Sequence, residues 1–191
     1  MRHHGRRRAG ILGALLALCA AGCGGGGGGG GVASSATPEL RASSKIGVSS
    51  PAFADGGTIP RRYTCDGENV SPPLDFSGVP QGAAGLVVLV EDPDAPGGTF
   101  VHWTVWGIDP RRTALAAGVV PHGAVQGRNG FGKLGYGGPC PPAGKVHHYV
   151  FSVFAADVRP TLPEGAGAGD VKRALAGHVT ASGTLTGRYG R

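Results

Sequence analysis

Three apolar runs rich in β-branched and aromatic residues constrain this chain more than any other feature: Gly85–Glu91 (GLVVLVE), Phe100–Ile108 (FVHWTVWGI) and Val146–Ala155 (VHHYVFSVFA). Each has strand length and is bounded by Gly, Pro or Asp, so each reads as a buried strand. Thr58–Tyr63, Leu74–Phe76 and Gly183–Arg188 are weaker strand candidates. One helix is expected, N-capped by Asp170 and running through Val171, Ala174 and Leu175 to Gly177. Arg112–Ala117 is expected to add a short helical turn. Helix-length connections between strands are scarce, which argues against a doubly wound α/β sheet. The 38 glycines among 191 residues favour turns over long helices. The fold class is therefore mainly β, with a helix near the C-terminus.

The N-terminal segment reads as a targeting signal. Arg2, Arg6, Arg7 and Arg8 form a basic start, and Ile11–Ala21 is an apolar stretch too short to span a bilayer. It ends at Ala20-Ala21-Gly22-Cys23, which resembles a bacterial lipobox, although Ala20 stands where an aliphatic residue is usual. Residues 1–22 are read as a lipoprotein-type signal peptide and Cys23 as the lipidated residue. Gly24–Gly31 and the small polar stretch to residue 44 are read as a flexible linker, and residues 45–191 as one domain. The glycine run is no phosphate loop, because no Lys-Ser/Thr pair follows it. This reading places the protein outside the cytoplasm, held at the cell membrane by its lipid.

The formal charge of +6 is dominated by the segment that would be removed. Without residues 1–22 the chain carries 14 basic and 12 acidic residues, about +2. That balance, with no nucleic-acid motif, excludes a nucleic-acid partner. Cys65 and Cys140 remain beyond the anchor. They can pair in an exported domain, but sequence cannot bring their Cα atoms within range. Two cysteines are too few for structural zinc, and no metal or cofactor is expected.

Three segments carry chemistry. Asp92-Pro93-Asp94-Ala95-Pro96 follows the first strong strand, and its prolines fix two carboxylates in a rigid turn. His102-Trp103 lies within the second, where alternation puts His102 with Phe100, Thr104 and Trp106, and Trp103 on the opposite face. Gly135–Pro142 (GYGGPCPP) is a structured loop, followed by His147-His148-Tyr149. There His147 and Tyr149 share a face, roughly 7 Å apart, and His148 points away. Taken singly, each has a plain structural explanation as turn chemistry or a satisfied core histidine.

Taken together and in order, these segments resemble the phosphatidylethanolamine-binding (Raf kinase inhibitor-like) family, in its bacterial branch. Tyr63–Gly67, Ser71–Leu74, Gly127–Asn129, Ala176–His178 and Gly187–Tyr189 extend the match over residues 46–191. The resemblance implies a large central β-sheet, a smaller second sheet and a C-terminal helix. It also implies a cavity for phosphate, acetate or a phosphorylated head group. Its lining would be Asp92, His102, His147 and Tyr149, with Pro93 and Pro139 shaping the rim and Asp94 stabilising the loop. A carboxylate is out of place beside an anion unless it orients an imidazole and favours its charged form.

Three functions compete. A binding module would hold a phosphate-containing small molecule or phospholipid head group. An interaction module would inhibit a secreted protease or other target protein, although no inhibitory loop is visible. An enzyme would need a nucleophile: there is no G-x-S-x-G elbow, which leaves Cys140 near His147. A binding role without catalysis is the favoured expectation.

Overall fold

The computed structural model describes residues 40–191. The expected signal peptide, Cys23 and the glycine run lie outside the described residues. The described chain is mainly β. Its strands are β1 (Ser44–Lys45), β2 (Gly47–Ser49), β3 (Leu74–Ser77), β4 (Gly85–Asp92), β5 (Phe100–Ile108), β6 (Ala114–Leu115), β7 (Val125–Gln126), β8 (Val146–Ala156) and β9 (Val179–Gly190). A single α-helix among the described residues, α1 (Ala168–Leu175), precedes β9.

The three apolar runs become β4, β5 and β8, with β5 matching its predicted ends. They form the middle of a six-stranded sheet ordered β1-β9-β8-β4-β5-β7. All its pairs are antiparallel except β1 with β9. A three-stranded sheet, β2-β3-β6, packs over one face. Leu74 and Phe76 of β3 meet Leu86, Val88, Val90, Trp103, Val105, Phe151 and Val153 in the main core. The other face carries a smaller core, where Val171 and Leu175 of α1 cover Val87, Trp106 and Ala156. Each buried Val, Leu or Phe side chain among these contributes about 1.5–3 kcal/mol. β4 is buried on both faces because both cores use it, so its sequence runs apolar rather than alternating.

Four local expectations need correction. Thr58–Tyr63 is not a strand: Thr58 makes one bridge to Arg188, and Arg61–Tyr63 is a 3-10 turn. Pro60, at φ −59°, starts that turn, and its carbonyl takes the Tyr63 amide. Arg112–Ala117 forms no helical turn, since Leu115 pairs with Leu74 across β6 and β3 and is buried there. The helix cap is Gly167; Asp170 stands three residues inside and its carboxylate accepts the Gly167 amide at 3.1 Å. Finally, Trp103 is not opposite His102. Val90 pairs with Trp103 and Glu91 with Val101, which leaves His102 as an extra residue in β5. This bulge breaks the alternation, and Trp103 joins the main core while Trp106 faces the helix. At the N-terminal side, the structured chain reaches before Lys45. Ser44 opens β1, the Ser43 hydroxyl donates to the Thr180 carbonyl at 2.9 Å, and Leu40 packs on the helix-side core.

Candidate functional site

β4 lies between β8 and β5 and runs antiparallel to both, so its C-terminal end lies beside their N-terminal ends: Asp92 pairs with Phe100 and Glu91 with Val150. Asp92 closes β4, Phe100 opens β5, and His147 is the second residue of β8. The bulge at His102 keeps that ring on the same side, 5.0 Å from the Phe100 ring and 5.1 Å from Tyr149. A hollow of about 210 Å³ opens at this end of the sheet. Asp92, His102 and His147 supply its polar lining, and Phe100, Phe131, Ala95, Pro96, Pro141 and Pro142 supply most of the rest.

The polar groups are held in a fixed pattern. His147 donates from Nδ1 to Oδ2 of Asp92 at 2.8 Å, with both side chains buried. The other Asp92 oxygen accepts the Asp94 amide at 2.8 Å. Asp92 is thus engaged on both oxygens and acts as an orienting group. His102 donates from Nδ1 to the Gly137 carbonyl at 2.6 Å, and the Gly137 amide returns a bond to the His102 carbonyl at 2.9 Å. Burial holds the His102 imidazole below its ordinary pKa, and the Gly137 carbonyl offsets only part of that. Tyr149 stands behind His102, fully buried, and does not line the hollow. Burial, then the charge of Asp92, push its phenol up, so it stays a protonated donor. The Cys140 amide bears on that hydroxyl without reaching hydrogen-bond geometry.

Pro93, Asp94 and Pro139 stand outside the lining. The Asp94 carboxylate turns outward and accepts both the amide and the ring Nδ1 of His148, on the exposed side of β8. The amide bond, then the ring bond, hold its carboxyl below the usual range. The Pro139 carbonyl accepts the Cys65 amide at 3.1 Å. The walls are formed by Ala95 and Pro96 in the first of these loops and by Cys140, Pro141 and Pro142 in the second.

The loop 135–142 is tied down from several sides. Cys140 is disulfide-bonded to Cys65, with Cα atoms 5.4 Å apart. The Tyr136 hydroxyl donates to the Tyr63 carbonyl at 2.8 Å. The Gly138 amide donates to Oδ1 of Asn69 at 2.7 Å. A Cβ on Gly138 would stand 2.6 Å from the Tyr63 carbonyl oxygen, so the approach requires glycine. The disulfide also removes Cys140 as a free thiolate nucleophile.

Sequence reasoning missed Phe131, and it named Asn129 only within the family resemblance, with no structural role. The buried Asn129 donates to the Gly135 carbonyl at 2.8 Å, while its Oδ1 accepts the amides of Phe131 and Lys133. The legible signal was Asn129-Gly130-Phe131-Gly132, an aromatic residue set in a turn by an Asn side chain. Among the described residues no group of three His, Cys, Asp or Glu side chains is placed to hold a metal ion.

The described chain is thus a two-sheet β domain with a buried Asp–His pair and a second histidine beside proline-bearing loops. The phosphatidylethanolamine-binding protein family model matches residues 49–190. The chain belongs to that family. It is 49% identical over 145 residues to a UPF0098 protein of Methanothermobacter thermautotrophicus, covering 73% of this chain and 95% of that one. It is 43% identical over 155 residues to a Mycobacterium tuberculosis protein named "Putative lipoprotein LppC", covering 81% and 77%. The solved structure of Escherichia coli YbcL, described as a new member of the mammalian PEBP family, superposes with a TM-score of 0.73. It is 36% identical and is covered over 99% of its length, against 78% of this chain.

Proposed function

We propose that this chain is an exported, lipid-anchored binding protein whose hollow holds phosphate or a phosphorylated head group. The observation that carries the reading is the convergence of His102 and His147 on one hollow, each ring already committed through Nδ1. Nε2 is then the nitrogen of each ring left for a ligand. A neutral imidazole so held offers a lone pair there, and an imidazolium offers a proton. An oxyanion therefore binds with uptake of a proton, or through a hydroxyl of its own. Charge-assisted hydrogen bonds of this kind are short and directional, and the apolar proline walls lower the local dielectric, which strengthens them. Tyr149, one layer back, adds a donor if its ring shifts toward the ligand.

Export and anchoring rest on the Ala20–Cys23 motif and gain support from the similarity to a relative that bears a lipoprotein name. A binding role is favoured over catalysis because the one candidate nucleophile, Cys140, is disulfide-bonded. Isothermal titration of the purified chain with inorganic phosphate, phosphoethanolamine and glycerophosphoethanolamine tests the reading. Saturable heat that disappears in His147→Ala is the expected result. Heat from none of the three ligands removes it and leaves inhibition of a secreted protease or other protein as the alternative.

A further inference from the structure

The anion hollow has a larger neighbour. A second hollow, of about 370 Å³, lies across Phe131 and Cys140, which line both. Typical small-molecule sites occupy roughly 300–1,000 Å³. The first hollow alone, at about 210 Å³, falls short of that range. Joined to the second it would lie within it. What keeps them apart is therefore what sets ligand size. One part of the partition is the Cys65–Cys140 disulfide, a covalent clamp. The other is a single ring.

That ring, of Phe131, is fixed by several contacts. Phe131 stands edge-on to Phe100 at 4.7 Å and to His102 at 5.7 Å. Its amide is fixed by the Asn129 side chain at 3.0 Å. Room for it exists because position 137 is glycine: a Cβ there would stand 2.7 Å from the Phe131 ring. Yet Phe131 remains 47% exposed, so burial does not account for its placement. It contacts a proposed ligand-binding imidazole on one side and water on the other.

We propose that Phe131 is the size-selecting residue of the anion site. Its ring admits a bare phosphate-like anion or a small ester. It bars a bulky organic substituent from crossing into the second hollow, whose walls include Tyr136, Gly137 and Gly138. The assignment rests on the phosphate reading above.

The test is titration of the full purified chain, and of Phe131→Ala and Phe131→Leu, with inorganic phosphate, methyl phosphate and phenyl phosphate. The native chain binds phenyl phosphate ~10-fold or more weakly than phosphate, the scale on which a shaped pocket rejects excess bulk. The affinity ratio of phenyl phosphate to phosphate rises ~10-fold or more in Phe131→Ala, with Phe131→Leu between. Phosphate binding with one unchanged ratio in all three proteins overturns the role of Phe131 alone. Equal affinity of the native chain for both ligands overturns it too. Absence of phosphate binding in every protein overturns the anion reading and this inference with it.

Discussion

At the residue scale, two imidazoles meet in one hollow and are fixed at the same nitrogen by different partners, a carboxylate and a carbonyl. On the proposed anion reading, this predicts proton-coupled binding. Sulfate carries no proton near neutrality, so the protein must supply one. Its affinity should rise as pH falls from 8 to 6, more steeply than that of phosphate, which titrates in that range itself. Calorimetry in buffers of different ionisation heat reads the proton uptake directly, and a count of zero would remove the coupling. His102 also makes folding pH-dependent. Burial lowers its pKa in the folded state from an ordinary value of 6.5. On acidification the unfolded chain takes up the proton first, so the contribution of neutral His102 to stability is full above about 6.5 and declines below it. Comparing urea midpoints at pH 8 and pH 5.5 for the native chain and His102→Gln isolates this effect from that of the carboxylates. The native protein should lose more stability than the variant; equal losses would show that His102 titrates as it does in water.

At the scale of elements, the loop 135–142 connects fold to site, and the disulfide is its strongest fastening. It closes a sequence separation of 75 residues, so removing it by Cys65→Ser with Cys140→Ser costs about 4 kcal/mol on loop-entropy grounds. Urea unfolding measures that cost. Phosphate affinity should fall as well, because Pro141 and Pro142 hang from the same loop; unchanged affinity would mean the hydrogen bonds to Tyr63 and Asn69 suffice. β4, β5 and β8 could be read because each buries enough apolar surface to decide its own conformation. β6 and β7, two residues each, take theirs from the strands they pair with. The bulge at His102 was invisible because period-two alternation assumes no inserted residue. Asp92, His102 and His147 could be read at the site because their residue types and order carry the family resemblance. The apolar walls could not, since Phe131 and Pro141 reach the hollow only through loop paths set by Asn129 and by the disulfide.

At the scale of the whole molecule, the question is what would keep a small binding domain beside a bilayer. Among the described residues no helix is long and apolar enough to cross a membrane. Without residues 1–22 the chain carries about +2, from 14 basic and 12 acidic residues. Attraction to anionic lipid is worth about 1 kcal/mol per uncompensated basic residue near the surface and is screened within about 10 Å at 0.1 M salt. Retention by charge would therefore be weak and would yield to a salt wash. Retention by acyl chains would not, since each buried methylene contributes about 0.8 kcal/mol and two or more chains anchor firmly. In the proposed reading Cys23 carries that anchor. The full chain, expressed in a bacterium with lipoprotein processing, should stay in the membrane fraction through a 1 M salt wash, roughly three times the screening strength of 0.1 M. It should leave only with detergent, whereas Cys23→Ala should appear in the soluble extracytoplasmic fraction with phosphate binding intact. A native chain released by salt, or a variant that still sediments with membranes, would take the anchor away from Cys23 while leaving the hollow and its ligand untouched.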